Sequence, residues 1–284
     1  MKRRTFIKRT LGSLITASLF SAGTYYYARE IEPNRITISN FTISSNKVPQ
    51  SFNHFKIVQF SDTHIGFHFH LNKIEKLINT INEQNPDLIV FTGDLIDQPN
   101  TFQKTNELGK LLKQLKAPYG KYWVYGNHDH GGYGTDLVKN IMKKAEFTLL
   151  KNEYTFIEKN NQKILLSGID DVILGHPNLG QSLPDNYDGS HFTILLAHEP
   201  DYADVSAQFP IDIQLSGHSH GGQVRLPFLG HLYTPIFAEK YVLGKYMLRD
   251  ESFLLYVNRG IGTTRLPFRM FCSPEISTYT LHSK

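Results

Sequence analysis

Five short motifs of the sequence combine aspartate, histidine and asparagine, whose side chains bind borderline divalent metal ions. In chain order they are Asp62-Thr63-His64, Gly93-Asp94, Gly126-Asn127-His128-Asp129, Ala197-His198-Glu199 and Gly217-His218-Ser219-His220. Each motif comes at the end of an apolar run. A single motif of this kind carries little information, but five in this order predict a hydrolytic centre with two metal ions.

The apolar runs before the motifs are predicted to be β-strands that position the metal ligands. Strand patterns and helical patterns alternate in the first half of the chain, at 55–60, 71–81, 87–92, 105–115, 121–125 and 136–145. Such repeated βα units indicate a mostly parallel sheet with helices on its faces. Strand patterns with few helices between them follow at 163–168, 192–197, 211–215, 253–257 and 276–281. We therefore expect an α/β fold with two packed mixed β-sheets flanked by helices, an αββα sandwich.

The motifs are expected to meet in one crevice, because ligands of α/β sheets bind outside the carboxyl ends of the strands. If the backbone of Asp62-x-His64 and of His218-x-His220 is extended, both side chains of each pair point to the same face. Glycines that permit tight turns stand before three of the motifs: Gly93, Gly126 and Gly217.

The ordered motif set resembles the calcineurin-like metallophosphoesterase family, from about Phe55 to the C-terminus. The resemblance implies a binuclear metal-dependent phosphoesterase, in which one ion is held by Asp62, His64, Asp94 and His220. The second ion would be held by Asp94, Asn127, His198 and His218, so that Asp94 bridges the two. The catalytic residues implied in the same way are His128, which contacts the phosphate and assists the leaving group, and Asp129, which orients His128.

The chemistry expected of this centre is hydrolysis of a phosphodiester or pyrophosphate bond. Two divalent ions, Mn²⁺, Zn²⁺ or Fe²⁺, would make a bridging hydroxide available for attack on phosphorus, while protonated His128 donates to the leaving oxygen. The segments 216–227 and 258–262 resemble a bacterial branch of the family that is associated with the membrane or the cell wall. We therefore expect a phosphorylated envelope or lipid substrate.

Several further polar side chains have two interpretations each. Arg225 and Arg259 are candidates for binding the substrate phosphate, and structural ion pairing is the alternative for both. Asp97 either orders a ligand loop or caps a helix. We interpret His130 as structural, because it has no counterpart with a role in the family.

Residues 1–30 are predicted to be an export signal or an N-terminal membrane anchor. Five basic residues lie among the first ten, and no charged residue occurs from Thr10 to Ala28. Arg3-Arg4 resembles a twin-arginine signal, which implies the twin-arginine export machinery as a partner. Both alternatives predict a protein exported in a bacterium, with an extracytoplasmic domain that associates with the membrane or cell wall. Residues 31–54 are predicted to be an extended lead-in or edge strand, and residues 55–284 the metallophosphoesterase domain.

Composition excludes some classes of function. The formal charge of +4 falls to −1 without the five basic residues of the first ten, so no nucleic-acid partner is expected. Cys272 is the only cysteine, which excludes an intramolecular disulfide and a thiolate metal cluster. The alternative function is a non-catalytic, membrane-anchored phosphate-binding module that retains the fold. The sequence does not determine the oligomeric state.

Overall fold

The computed structural model describes residues 3–131 and 135–284 of the chain. The α-helices are α1 (Arg3–Tyr26), α2 (Ile74–Glu83), α3 (Thr105–Leu112), α4 (Asn127–His130), α5 (Thr135–Lys144) and α6 (Ala203–Ser206). The strands in the first half of the chain are β1 (Thr37–Ser45), β2 (Lys56–Phe60), β3 (Leu88–Phe91), β4 (Lys121–Trp123), β5 (Thr148–Leu149), β6 (Glu153–Lys159) and β7 (Gln162–Gly168). Those in the second half are β8 (Thr193–Leu196), β9 (Ile213–Ser216), β10 (Arg225–Leu226), β11 (Gly230–His231), β12 (Gly244–Leu248), β13 (Phe253–Val257) and β14 (Glu275–Ser283).

The strands form two mixed six-stranded sheets and one small hairpin. The first sheet has the order β1-β14-β2-β3-β4-β5, and the second has the order β12-β13-β9-β8-β7-β6. Strands β2 to β5 run parallel to one another, as do β7, β8, β9 and β13. Strands β10 and β11 form the antiparallel hairpin. The segment 31–54 contributes the edge strand β1, which pairs with β14 along its full length.

The two sheets pack face to face. Successive side chains of a strand point alternately towards the other sheet and towards the outer layer, and this alternation produces the layers. In β3, Leu88 and Val90 face the second sheet, whereas Ile89 and Phe91 face the helical layer. Because both faces of such a strand are buried, it has an unbroken apolar sequence. Helices α2, α3 and α5 cover the first sheet, and α6 with long irregular segments covers the second. The predicted α/β sandwich of two mixed sheets is confirmed.

Helix α2 shows why these segments are helical. Its buried residues recur at the spacing of one helix face, and they pack on the first sheet: Ile74, Leu77, Ile78 and Ile81. A short 3₁₀ turn at Leu71–Lys73 precedes it, so the helical pattern predicted from residue 71 begins in 3₁₀ geometry. The predicted helix at 105–115 ends three residues early, at Leu112.

The N-terminal helix is attached directly to the rest of the protein. After a π-helical turn at Tyr27–Ile31, the buried carboxylate of Glu32 accepts hydrogen bonds from the backbone amides of Phe271 (3.0 Å) and Cys272 (2.7 Å). The ring of Tyr25 packs edge-on against Phe268. Within the described ranges 3–131 and 135–284, helices that combine the length and the apolar character needed to cross a membrane are absent. Lys2 of the predicted signal lies outside the described residues.

Candidate metal centre

The loops that leave the carboxyl ends of β2, β3, β4, β8 and β9 meet between the two sheets, and they bring together six of the seven predicted metal ligands in two groups. The ligand atoms within each group lie within 4.8 Å of one another. One group contains Asp62, His64 and His220, and the other contains Asp94, His198 and His218. All six residues are buried. The division into two groups is the one that the family resemblance implies.

Asp94 belongs to the second group and also contacts the first. Its Oδ2 is 3.4 Å from Nε2 of His64 and 3.2 Å from Nε2 of His198. The other oxygen, Oδ1, accepts a hydrogen bond from the backbone amide of His128 at 2.8 Å. One carboxylate oxygen therefore faces an imidazole from each group, which is the arrangement that a bridging ligand needs.

Asn127, the seventh predicted ligand, begins α4 directly after the third motif's glycine. Its Oδ1 is buried and has no hydrogen-bond partner among the described residues. A buried carbonyl oxygen without a partner costs free energy unless something else satisfies it. An amide oxygen is a suitable ligand for a hard or borderline divalent ion, so Asn127 fits the predicted donor set.

Hydrogen bonds to the backbone determine which nitrogen each imidazole of the second group presents. His198 Nδ1 lies 2.6 Å from the carbonyl oxygen of Thr92, and His218 Nε2 lies 2.9 Å from that of Ile236. Because a carbonyl only accepts, these nitrogens carry the protons. The remaining nitrogens, His198 Nε2 and His218 Nδ1, face each other at 3.1 Å. Such outer contacts orient imidazoles for metal binding.

The pKa shifts of these imidazoles indicate that the pocket stabilises a positive charge. Burial alone would lower the pKa of His198, but the carboxylates of Asp94 and Asp62 outweigh burial and hold it well above its ordinary value. Burial and the neighbouring charge of His198 lower the pKa of His218 to about 3. Burial and His64 hold the pKa of His220 well below its ordinary range. Asp62 and Asp94 thus stabilise a positive charge at His198, whereas His218 and His220 favour the neutral form that binds a metal ion.

The backbone at five predicted ligands lies in the left-handed region. Asp62, His64, Asp94, His218 and His220 have φ values of 51°, 41°, 61°, 65° and 50°. Side chains in this left-handed region are strained by on the order of 1–3 kcal/mol each. The backbone of Asp62-x-His64 and of His218-x-His220 is therefore not extended, and side-chain alternation along a strand does not explain how these pairs converge. Consecutive tight turns aim these side chains into the crevice instead.

Glycine is needed at positions 93 and 126 for two different physical reasons. Gly93 has a φ of +96°, and a Cβ there would lie 2.6 Å from the backbone nitrogen of Gly126. Gly126 itself has an ordinary φ of −111°. A side chain at Gly126 would overlap Oδ1 of Asp94. The first glycine permits the turn, and the second leaves room for a ligand.

His128 occupies the rim of the centre. Its side chain is 29% exposed, and its ring lies edge-on to that of His64 with centroids 4.5 Å apart. Its Nδ1 is 2.8 Å from the backbone oxygen of Asp97. Burial would lower the pKa of His128, but the charge of Asp94 and the Asp97 contact raise it above the ordinary value. Among the residues that the structure describes, Nε2 of His128 has no hydrogen-bond partner, and the raised pKa shifts the ring towards its protonated form.

The structure places the carboxylate of Asp129 against backbone amides, and its predicted role in orienting His128 stays a prediction. Its carboxylate accepts hydrogen bonds from the backbone amides of Gly126 (3.0 Å), Asp94 (2.8 Å) and Leu95 (3.0 Å). These contacts join the loop of Asp94 to the start of α4. The ring of His128 is oriented by Asp97, because the Asp97 carbonyl is close to Nδ1 and the Asp129 carboxylate is occupied by amides. Of the two interpretations of Asp97, the loop-ordering one fits this geometry.

The predicted substrate-binding arginines make structural contacts. Arg259 pairs with Glu275 at 3.0 Å and donates to Oγ1 of Thr37 at 3.1 Å. Arg225 donates to the carbonyl oxygen of Gly221 at 2.9 Å. His130 pairs with Asp170 at 2.8 Å, in keeping with its structural interpretation. Phosphate binding by Arg225 and Arg259 stays a prediction.

Sequence reasoning missed Arg269, which is fully buried beside the centre. Its guanidinium donates to the carbonyl oxygens of Arg259 (2.8 Å), Gly260 (3.1 Å) and Cys272 (3.0 Å). The loop that it holds also contacts the first motif, because the amide of Gly262 donates to the Asp62 carbonyl. No spacing or neighbouring motif marks this arginine in the sequence.

The two mixed sheets and the cluster of aspartate, histidine and asparagine side chains at their strand ends define a metallophosphoesterase. The family model described as calcineurin-like phosphoesterase matches residues 55–222, and the chain belongs to that family.

Three relatives cover nearly the whole chain. An uncharacterised metallophosphoesterase, YkuE of Bacillus subtilis, is 46% identical over 284 residues, which is all of this chain and 98% of that protein. Phosphodiesterase YaeI of Escherichia coli is 29% identical and covers 99% of both chains. The UDP-2,3-diacylglucosamine pyrophosphatase LpxG of Chlamydia muridarum is 28% identical and covers 94% of this chain and 96% of that protein.

Proposed function

We propose that the protein hydrolyses a phosphodiester or pyrophosphate bond in a cell-envelope or lipid-linked substrate, with two divalent metal ions. The position of Asp94 between two three-residue groups supports two ions rather than one. Asp62, His64, Asp94 and His220 would hold one ion, and Asp94, Asn127, His198 and His218 the other. The names of two relatives, a phosphodiesterase and a pyrophosphatase, support the type of bond.

The donor set also fits an anionic substrate. When bound, the two ions supply Lewis acidity and a hydroxide nucleophile near neutral pH. Two divalent cations exceed the charge of the carboxylates of Asp62 and Asp94, so the loaded centre has a net positive charge. With both ions bound, this charge would attract the phosphate group of a substrate and offset the negative charge of its oxygens. Mn²⁺, Zn²⁺ and Fe²⁺ all accept this combination of oxygen and nitrogen ligands.

His128 is the proposed general acid. The Asp97 carbonyl fixes the Nδ1 proton and leaves Nε2 to contact the substrate. The raised pKa keeps the ring protonated to higher pH, as donation to a leaving oxygen requires. The observation that carries the catalytic proposal is this partly exposed imidazole within ring contact of a buried predicted metal ligand, His64.

Metal analysis combined with kinetics tests the proposal. We expect purified full-length protein loaded with Mn²⁺ to contain about two ions per chain by mass spectrometry, and to hydrolyse bis-p-nitrophenyl phosphate in a metal-dependent manner. The non-catalytic phosphate-binding alternative predicts bound phosphate without turnover. A protein that binds no transition metal and shows no metal-stimulated hydrolysis would contradict the proposed function.

We further propose that residues after about position 30 work outside the cytoplasm. The five basic residues at the N-terminus and the uncharged stretch Thr10 to Ala28 support export. Replacing Arg3 and Arg4 by lysine retains the charge and removes the twin-arginine pair. We expect this variant to stay inside bacterial cells, whereas the unaltered protein becomes accessible to protease added to spheroplasts. Equal protease accessibility of the two proteins would exclude the twin-arginine route.

A further inference from the structure

A cavity of about 620 Å³ opens beside the predicted metal ligand His220. Three segments form its walls: the end of α1, the β10–β11 hairpin with the residues after it, and the loop 264–270. The side chains that face it are mainly aliphatic, aromatic or methionine, among them Ala28, Val224, Leu226, Leu232, Phe268 and Met270. Its volume is in the range of pockets that bind small molecules.

Two polar side chains at this cavity already have hydrogen-bond partners within the protein. Ser219 donates its hydroxyl to the carbonyl oxygen of Val242 at 2.6 Å. The side-chain amide of Gln223 donates to the Thr264 carbonyl and accepts from the Thr264 backbone amide. The exposed guanidinium of Arg265 stacks on the ring of Tyr233 at 4.7 Å. A hydrocarbon in the cavity would leave these contacts intact.

A second cavity, of about 390 Å³, lies beside His128 and has a different character. Backbone turns and polar side chains line it, including Asp97, Gln98, Asn100 and Thr101. His64 stands between the two cavities, since its ring centroid is 4.9 Å from that of His220 and 4.5 Å from that of His128. The candidate metal centre thus has an almost wholly apolar cavity on one side and, on the other, a cavity lined by more polar residues.

The surface around the apolar cavity is also unusually apolar. Large apolar side chains on the hairpin and next to it are exposed, notably Phe228, Leu229 and Leu266. Helix α1, whose end forms one wall, exposes Leu14, Leu19 and Phe20. Leu226, Leu232 and Leu266 line the cavity and are also exposed, so its apolar lining continues onto the outer surface. Exposed apolar surface of this kind is typical of binding sites, and here it favours a long hydrocarbon chain that enters from an assembly of lipids.

We propose that the apolar cavity binds the hydrocarbon chain of an amphiphilic phosphodiester, whose polar alcohol occupies the cavity beside His128. This inference rests on the proposed function and specifies its substrate class and orientation. A water molecule gives its proton to the solvent and adds as hydroxide to phosphorus, the phosphorus–oxygen bond to the polar alcohol breaks, and His128 transfers its proton to the departing oxygen. His128 then regains a proton from the solvent. The phosphate stays on the hydrocarbon as a monoester, and the polar alcohol is released.

Alkyl p-nitrophenyl phosphates test the chain site, because the leaving group is constant and only the alkyl length varies. With Mn²⁺-loaded full-length protein and esters below their micelle concentrations, kcat/KM should rise about two- to fourfold per methylene from ethyl to octyl. A rate independent of chain length would overturn the inference while leaving the proposed function intact. Absence of hydrolysis at every chain length would instead contradict the proposed function.

Variants at the cavity wall locate the effect. Met270→Glu keeps the side-chain length but adds a charge, and should lower the octyl-to-ethyl ratio of kcat/KM at least about tenfold. Met270→Leu, a swap that conserves volume and apolar character, should retain the ratio. Leu232→Glu, at an exposed site on another wall, replaces Met270→Glu if that variant does not fold. Cavity variants with the wild-type ratio would overturn the assignment.

Product analysis tests the orientation. Hydrolysis of octyl glycerol phosphodiester, followed by phosphorus NMR and mass spectrometry, should yield octyl phosphate and glycerol. Formation of octanol and glycerol phosphate would contradict the proposed placement of the chain.

Discussion

The loops of the first sheet carry both carboxylates, the amide and one imidazole of the candidate centre, whereas the loops after β8 and β9 of the second sheet contribute imidazoles alone. Asp62, His64, Asp94 and Asn127 belong to the first set, and His198, His218 and His220 to the second. The backbone amide of His218 also donates to the Asp62 carboxylate at 3.0 Å. Neither sheet holds a complete donor set, so the centre depends on the packing of one sheet against the other.

The largest expected effect comes from Asp94→Asn, because Asp94 faces imidazoles from both sheets. Loss of its charge should weaken binding of both ions and lower kcat/KM by about 10³-fold or more, as several kcal/mol of metal-derived stabilisation disappear. Mass spectrometry of metal content and hydrolysis of bis-p-nitrophenyl phosphate measure the two effects. Asp204→Asn, at a surface ion pair with Lys240, is the matched control and should behave as wild type. Loss of one ion only would show that Asp94 does not bridge.

His128→Ala should show that His128 contributes to catalysis but not to metal binding, unlike the predicted metal ligands on the other loops of the first sheet. We expect the variant to keep its metal content and to lose about 10²- to 10⁴-fold in kcat, the usual contribution of general acid catalysis. A leaving group of low pKa, such as p-nitrophenol, should show the smaller loss, since it needs less protonation. A variant that no longer retains metal would place His128 among the ligands.

Asp129→Asn tests which loop contact this buried residue supports. Both carboxylate oxygens accept from backbone amides, so the NH₂ group of asparagine would face a donor. We expect metal affinity to fall by about 10- to 100-fold, as for other residues that orient ligands. If kcat fell at saturating Mn²⁺ with unchanged metal affinity, Asp129 would act on His128, as the family resemblance implies.

The smallest expected effect concerns Asp170, which joins the segment after β7 to His130 in α4 and is not a predicted metal ligand. Burial opposes its ionisation, but hydrogen bonds from His130 and from the His176 amide lower the pKa of Asp170 to about 2. Since the folded pKa lies below the unfolded value, its contribution to stability is present above about pH 4 and is lost as the pH falls towards 2. Asp170→Asn should lower the free energy of unfolding by about 1–2 kcal/mol at pH 7. Denaturant titrations at pH 7 and pH 2.5 should show this difference shrinking, and a constant difference would contradict the pKa shift.

The sequence predicts the strand ends and the ligand types well, because both depend on local signals. Apolar runs followed by Asp94 or His198 mark buried strands and the polar side chains that leave them. The left-handed backbone of Asp62 and His220 is not visible in this way, since neither residue type requires a positive φ. The role of Arg269 depends on carbonyl oxygens that come together only after folding. What escapes the sequence is backbone geometry and contacts between distant segments.

The hydrogen bonds from the amides of Phe271 and Cys272 to Glu32 fix the position of the N-terminal helix relative to the catalytic centre. A tether of flexible residues would let the domain sample a wide volume around its point of attachment. Here the helix ends against the same loop that Arg269 holds beside His220, with no flexible spacer between them. Any surface that binds α1 would therefore lie at a fixed distance from the metal centre. The enzyme would then select substrates by how deeply they lie in that surface as well as by their chemistry.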